Sequence, residues 1–364
     1  MVLLGGCIGK RPIRVGFAGE LTGRNADLSV QGRNGVQLAV KEINAEGGVA
    51  GRALELLVRD DEGTPEGARA ADQALIDAGV VAIIGHMTSG QSVAAVPVVN
   101  ETEIILLSPT TSTPELSGLK DNFFRVNPVN AQEAMATACH MYREHGLVSA
   151  AIIYDDQNAA YTDVYRETFE STYHILGGEI TGEISFSSDE NPDFALLVDE
   201  LRTGDPAAVL IVTSDVDAAL IAQQVRLAGW EVPLSAAGWA QTEALLQNGG
   251  AAVEGMHLVT NYDSNSQAPA FLDFKTRYQE HFGRAPTFAA AQAYESVFLL
   301  AAALEKTNGN AQGLSQALVE TRVEGLTGPF ELDEYGDVVR TQFLIIVREG
   351  EFVTWSALAP EDCP

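Results

Sequence analysis

The residues with the most chemical potential in this chain follow short apolar runs. His86 and Ser89 lie beyond Val80–Ile84, and Ser108-Pro109-Thr110-Thr111-Ser112-Thr113-Pro114 closes Ile104–Leu107. A histidine so placed can act as a base, and hydroxyls can attack a substrate or hold an anion. Asp60-Asp61-Glu62 and Asp155-Asp156 end two further runs, where carboxylates bind metals or move protons. No catalytic pattern forms from these groups. Gly85-His86-Met87-Thr88-Ser89 lacks the G-x-S-x-G spacing of a nucleophile elbow. The turn Gly16-Phe17-Ala18-Gly19-Glu20-Leu21-Thr22-Gly23 departs from G-x-G-x-x-G, and no G-x-x-x-x-G-K-[ST] phosphate loop occurs. His140 and His145 are five apart, so on an α-helix they point in different directions, and neither metal nor cofactor is expected. Taken locally, the Ser/Thr run reads as turn and capping residues before Pro114, and His86 as a structural hydrogen-bonder. An enzyme is not the expectation.

The elements that must position these residues alternate along the chain. Ile13–Phe17 reads as a strand, followed by a helix on which Val36, Ala39, Val40 and Ile43 recur at helical spacing. Gly47-Gly48 stops that helix, and Leu54–Val58 is a second strand. Thr64-Pro65-Glu66 opens the next helix as N-cap, fixed-φ first residue and dipole-matching acid. Val80–Ile84 and Ile104–Leu107 are continuously apolar, as strands covered on both faces are. The alternation restarts after Asn122–Pro128, with strands at Ala150–Tyr154, Ile180–Phe186, Val209–Val212 and Leu234–Ala236 between helical stretches. Two long helical patterns, Phe271–Phe282 and Ala289–Lys306, precede a late strand at Phe343–Val347. Two successive sets argue for an α/β protein of two doubly wound, Rossmann-like lobes. No low-complexity linker separates them, which suggests a hinge.

Composition narrows the function classes. With 22 basic against 50 acidic residues the net charge is −28, which repels phosphate backbones and makes nucleic acid a poor partner. No apolar run approaches the roughly 20 residues of a membrane-spanning helix. Cys7 ends Leu3-Leu4-Gly5-Gly6-Cys7, similar to the end of a lipoprotein signal, so lipidation at Cys7 is expected, although the apolar stretch Met1–Leu4 is too short for a complete signal. Cys139 lies in the apolar-periodic run Ala131–His145 and is expected to be a buried free thiol, with pairing to Cys363 left open.

Several motifs, weak singly, occur in an order and spacing that is specific. They are Ile13-Arg14-Val15-Gly16…Leu21-Thr22-Gly23, then Gly32…Gly35-Val36-Gln37-Leu38-Ala39-Val40…Ile43-Asn44…Gly47-Gly48-Val49…Gly51, Asp60-Asp61, Gly85-His86, Ser108–Leu116 and Phe124-Arg125. Ala228-Gly229, Glu254-Gly255 and Gly328-Pro329-Phe330 with Asp333…Gly336-Asp337 complete the set. Over nearly the whole chain after residue 12 the protein resembles the type I periplasmic-binding-protein family, in its leucine/isoleucine/valine-binding branch.

The resemblance implies two lobes joined by three hinge crossings, with a ligand held in the cleft between them. The expected segments are 1–10 as signal remnant and linker, 11–127 with 259–328 as lobe one, 128–258 with 329–350 as lobe two, and 351–364 as a tail. The family's lobe-one anchors fall on Ser89, Thr110, Thr111 and Ser112, and its closing tyrosine on Tyr161. Ser89 near a helix start and hydroxyls at a strand's carboxyl end suit an anionic ligand group. An aromatic common after the first strand is replaced by Leu28, or by Asp27 if the gap shifts. The glutamate that pairs with an amino acid's ammonium has no counterpart in Ala236-Ala237-Gly238-Trp239. Asp215 or Asp217 is expected to replace it, or else the ligand has no ammonium; Trp239 favours an aromatic carboxylate over leucine, isoleucine or valine. Gly63 and Thr88 stand where the family's cleft-proximal cysteines would be.

The expectation is therefore an extracytoplasmic solute-binding protein of an ABC importer. It would be a monomer that binds an amino acid or other carboxylate and docks on permease subunits. A cytoplasmic ligand-sensing regulator on the same fold and a small-molecule enzyme are the alternatives.

Overall fold

A computed structural model describes residues 11–23, 26–358 and 363, so Cys7 and the lipidation expected there lie outside the described residues. The first sheet is built from β1 (Ile13–Gly19), β2 (Leu54–Asp60), β3 (Ala82–Ile84), β4 (Ile105–Ser108) and β5 (Phe123–Arg125), all parallel, in the order β2-β1-β3-β4-β5. Helices α1 (Ala26–Ala45), α2 (Pro65–Asp77) and α3 (Ser89–Val99) make the crossovers. Burial on both faces explains the continuous apolar runs: every residue of β3 and β4 is buried. The start of α2 is capped as its sequence predicts, Thr64 Oγ1 accepting from Gly67 N at 3.0 Å.

The second sheet follows α4 (Asn130–Cys139). Its strands are β6 (Ser149–Asp155), β7 (Glu179–Phe186), β8 (Ala208–Val212), β9 (Leu234–Ala237) and β10 (His257–Thr260), with α5 (Ala159–Leu176), α6 (Phe194–Arg202), α7 (Asp215–Leu227) and α8 (Glu243–Gly249) between them. The chain then returns to the first lobe with α9 (Pro269–Phe282), α10 (Phe288–Lys306) and α11 (Leu314–Val319), and α10 packs along α1. A small hairpin of β11 (Arg322–Glu324) and β12 (Pro329–Glu331) precedes β13 (Gln342–Arg348) and β14 (Glu351–Leu358), which close the second sheet in the order β14-β13-β10-β9-β8-β6-β7. The two-lobed α/β architecture is therefore present. No helix among the described residues is long and apolar enough to cross a membrane.

Three differences from the sequence expectation have physical causes. Glu351–Leu358, assigned to a tail, is an edge strand: Glu349 and Gly350 at positive φ turn the chain so that β14 pairs antiparallel with β13. Residues 329–350, assigned to lobe two, divide. Arg125 N donates to Gly336 O at 3.0 Å and Arg125 pairs with Asp337 at 2.6 Å, which holds that loop against β5, while β13 joins the second sheet. Cys139 is not a free thiol but is bonded to Cys363, with their Cα atoms 6.0 Å apart.

Three chain crossings meet beneath the cleft and are tied together. Asn127 follows β5 and Asn261 follows β10; Asn261 Nδ2 donates to Asn127 Oδ1 at 2.7 Å, and Gln292 Nε2 of α10 donates to both side-chain oxygens. Before β13, Arg340 donates to Val126 O at 2.9 Å and pairs with Glu295 of α10 at 2.8 Å, both side chains largely buried. Side-chain hydrogen bonds thus link all three crossings at the junction of the lobes.

Candidate functional site

The carboxyl ends of the parallel strands of both sheets face one another, the position where open α/β sheets bind ligands. Between them is a cavity of about 440 Å³, its open mouth included, lined by Leu28, Ser89, Thr110, Ser112, Tyr161 and Trp239 together with residues not foreseen from sequence. The loop after β3 is fixed by buried hydroxyls. Ser108 Oγ donates to His86 O at 2.7 Å, Thr110 Oγ1 to Met87 O at 2.5 Å, and Ser112 N donates to Ser89 Oγ at 3.4 Å. Thr111 is spent here too: its hydroxyl bonds Ser92 at 2.6 Å and does not reach the cavity. The Ser112 hydroxyl, in contrast, is buried in the cavity wall with no hydrogen-bond partner among the described residues. Such a group costs stability unless something binds it.

His86 is structural, as expected. It is fully buried, with Nδ1 2.6 Å from Asp61 and Nε2 3.1 Å from Asp72. Burial alone would lower its pKa, but the two carboxylates win and push it up to about 10, so the ring is a cation bridging the loop to α2.

The second lobe supplies the opposite wall. Tyr161 in the first turn of α5 and Trp239 in the turn after β9 meet edge to face, ring centroids 5.5 Å apart. Asn158, which precedes α5, accepts from Gly90 N at 3.1 Å and so bonds the start of α3 across the cleft. Asp215 does not reach the cavity. It is the first residue of α7, and its two carboxylate oxygens accept from Val216 N and from Thr242 rather than lining the cavity. Asp217 is likewise buried outside the lining.

The acidic group that does line the cavity is Glu133, a residue the sequence reading missed. It projects from α4 into the cavity, 6% exposed, and Asn261 Nδ2 donates to its Oε1 at 3.3 Å. Burial raises its pKa from the carboxylate range to about 8, and the Asn261 bond offsets only part of this. Glu133 and Gly238 are matched: a Cβ on Gly238 would lie 3.1 Å from Glu133 Oε2 and 3.0 Å from Val259 O. The position lacking the expected glutamate is thus the position against which a carboxylate from another element packs. An Asn-x-x-Glu at a helix start looks in sequence like N-terminal dipole chemistry, which is why Glu133 gave no signal.

Two α/β lobes with a cavity at the strand ends, lined by a helix start, a buried acidic side chain and two aromatic rings, form an architecture suited to binding a small solute. The family model described as periplasmic binding protein matches residues 12–350, and the chain belongs to that family, whose members bind solutes and are not enzymes. It is 28% identical over 340 residues to the Leu/Ile/Val-binding protein homolog 3 of Brucella melitensis, covering 91% of this chain and 90% of that one. Its structure is similar to that of a leucine binding protein from Thermotoga maritima, with a TM-score of 0.89, 25% identity and coverage of 96% and 99%. A solute binding protein of an ABC transporter from R. palustris in complex with benzoate shares the fold, with a TM-score of 0.88, 22% identity and 97% coverage of both chains. Family membership implies an extracytoplasmic location and service to an ABC transporter.

Proposed function

We propose that this protein is the solute-binding subunit of an ABC importer and that its ligand is a zwitterionic amino acid. The observation that carries this is the presence, within one cavity, of Ser89 at the start of α3, Ser112 in the loop after β4 and the buried Glu133 side chain. The ligand carboxylate meets the hydroxyls, the loop N–H groups and the helix dipole. Its ammonium meets Glu133, and its side chain lies against Leu28, Tyr161 and Trp239. Ligand contacts to both lobes select the closed state, which the permease subunits then recognise. The Cys139–Cys363 disulfide fits an oxidising compartment and counts against a cytoplasmic regulator. A monomer anchored through a lipid on Cys7 completes the proposal.

Trp239 supports a second reading, an aromatic carboxylate stacked on the indole, in which Glu133 keeps its proton. A thermal-shift panel separates the two, because a ligand of the folded state raises the midpoint. Stabilisation by one or more L-amino acids is expected; stabilisation by aromatic carboxylates alone would replace the first reading with the second.

A further inference from the structure

Away from the cleft, the second lobe gathers three histidines that the solute-binding site does not use. At 3.6 residues per turn, positions five apart on an α-helix diverge by about 140°, so His140 and His145 should not meet. They do meet, because the chain leaves α4 in a π-helical segment, His140–Glu144, whose hydrogen bonds span five residues. Their Nε2 atoms are 3.1 Å apart. His257, the first residue of β10, completes the group: its ring centroid lies 5.1 Å from that of His140 and 4.9 Å from that of His145, and one nitrogen from each ring falls within 4.8 Å of the other two.

We propose that His140, His145 and His257 form a binding site for a divalent transition-metal ion of the zinc class. Imidazole nitrogens bound tetrahedrally at 2.0–2.1 Å lie about 3.3 Å apart, close to the 3.1 Å separation of the first pair. The third ring, His257, needs a side-chain adjustment of about an ångström or two, within the rotamer freedom of a half-buried side chain. His140 Nδ1 is 3.1 Å from Glu144 Oε2, the carboxylate-on-imidazole contact that orients a ligating ring and leaves Nε2 for the metal. Three protein nitrogens leave a fourth position for water on the side where His145 is exposed. The ion would staple the last turn of α4 to the start of β10, two elements that carry Glu133 and Thr260 of the cleft further along.

The test uses untagged, chelator-stripped protein titrated with zinc alone against a chromophoric competitor, and with cobalt for its visible spectrum. The expected result is one equivalent of zinc and a tetrahedral cobalt spectrum. His145→Ala and His257→Ala should each weaken zinc by at least ~10-fold and abolish that spectrum. His145 is exposed, so its variant should melt like the parent without metal, and it carries the test alone if His257→Ala does not fold. Zinc affinity unchanged in His145→Ala, or no stoichiometric binding to the parent, would overturn the site.

Discussion

Replacing Glu133 by Gln keeps the shape of the side chain and removes its charge. In the free protein the folded-state pKa is raised from 4.5 to about 8. A raised carboxyl contributes nothing below the unfolded pKa and increasingly destabilises the fold as pH climbs from 4.5 to 8. At pH 7 the cost is at most about 3 kcal/mol, so the free Gln variant should be more stable by up to that amount. Binding should move the other way. An ammonium left without its carboxylate partner in a buried cleft loses roughly 3–5 kcal/mol, about a hundredfold to several thousandfold in Kd. Proton linkage gives a third readout. About nine-tenths of Glu133 is protonated at pH 7, so pairing with an ammonium should expel about 0.9 proton per ligand. Isothermal titration in buffers of different ionisation enthalpy measures it, and affinity should rise about tenfold per pH unit until it levels near pH 8. If the Gln variant bound amino acids as tightly as the parent, with no proton released by the parent, Glu133 would not be the ammonium partner.

Other perturbations follow from the same geometry. The Ser89→Ala/Ser112→Ala double variant should weaken ligand binding by roughly 1–3 kcal/mol, nearer the lower figure because backbone donors survive; calorimetry reads this directly. Gly238→Ala should weaken ligand binding, since its Cβ would meet Val259 O at 3.0 Å and Glu133 Oε2 at 3.1 Å and displace the Glu133 carboxyl; calorimetry checks this. The His86 cation contributes its full stabilisation below about pH 6.5 and loses it as pH rises through about 10, so urea midpoints should fall over that window. His86→Gln should flatten that slope and destabilise the fold by roughly 3–5 kcal/mol at pH 6 by breaking a buried charge group.

Much of the fold was legible because apolar runs on doubly covered strands leave a strong pattern: β3, β4 and β8 are buried at every position. The lobe-one hydroxyls were legible through family motifs, though nothing local told that Thr111 would turn inward while Thr110 and Ser112 lined the cavity. Strands β5 and β10 escaped notice because neither is a continuous apolar run: Phe123-Phe124-Arg125 ends in a charge, and His257-Leu258-Val259-Thr260 is polar at both ends. Two contacts were invisible in principle. Glu133 acts through space against a glycine more than a hundred residues away, and His140 meets His145 only because α4 ends in a wider turn. Asp215 was misplaced for the converse reason: an acid at a helix start reads equally as a local hydrogen-bonder or a ligand, and Thr242 and Val216 N occupy its oxygens.

The most direct test of the account compares, by calorimetry, the tightest-binding L-amino acid with the same molecule bearing hydrogen in place of its ammonium. A cleft that pairs the ammonium with Glu133 predicts that the deaminated acid binds at least a hundredfold more weakly, and that the difference largely vanishes in Glu133→Gln. Equal affinity for the two compounds in the parent protein would contradict it.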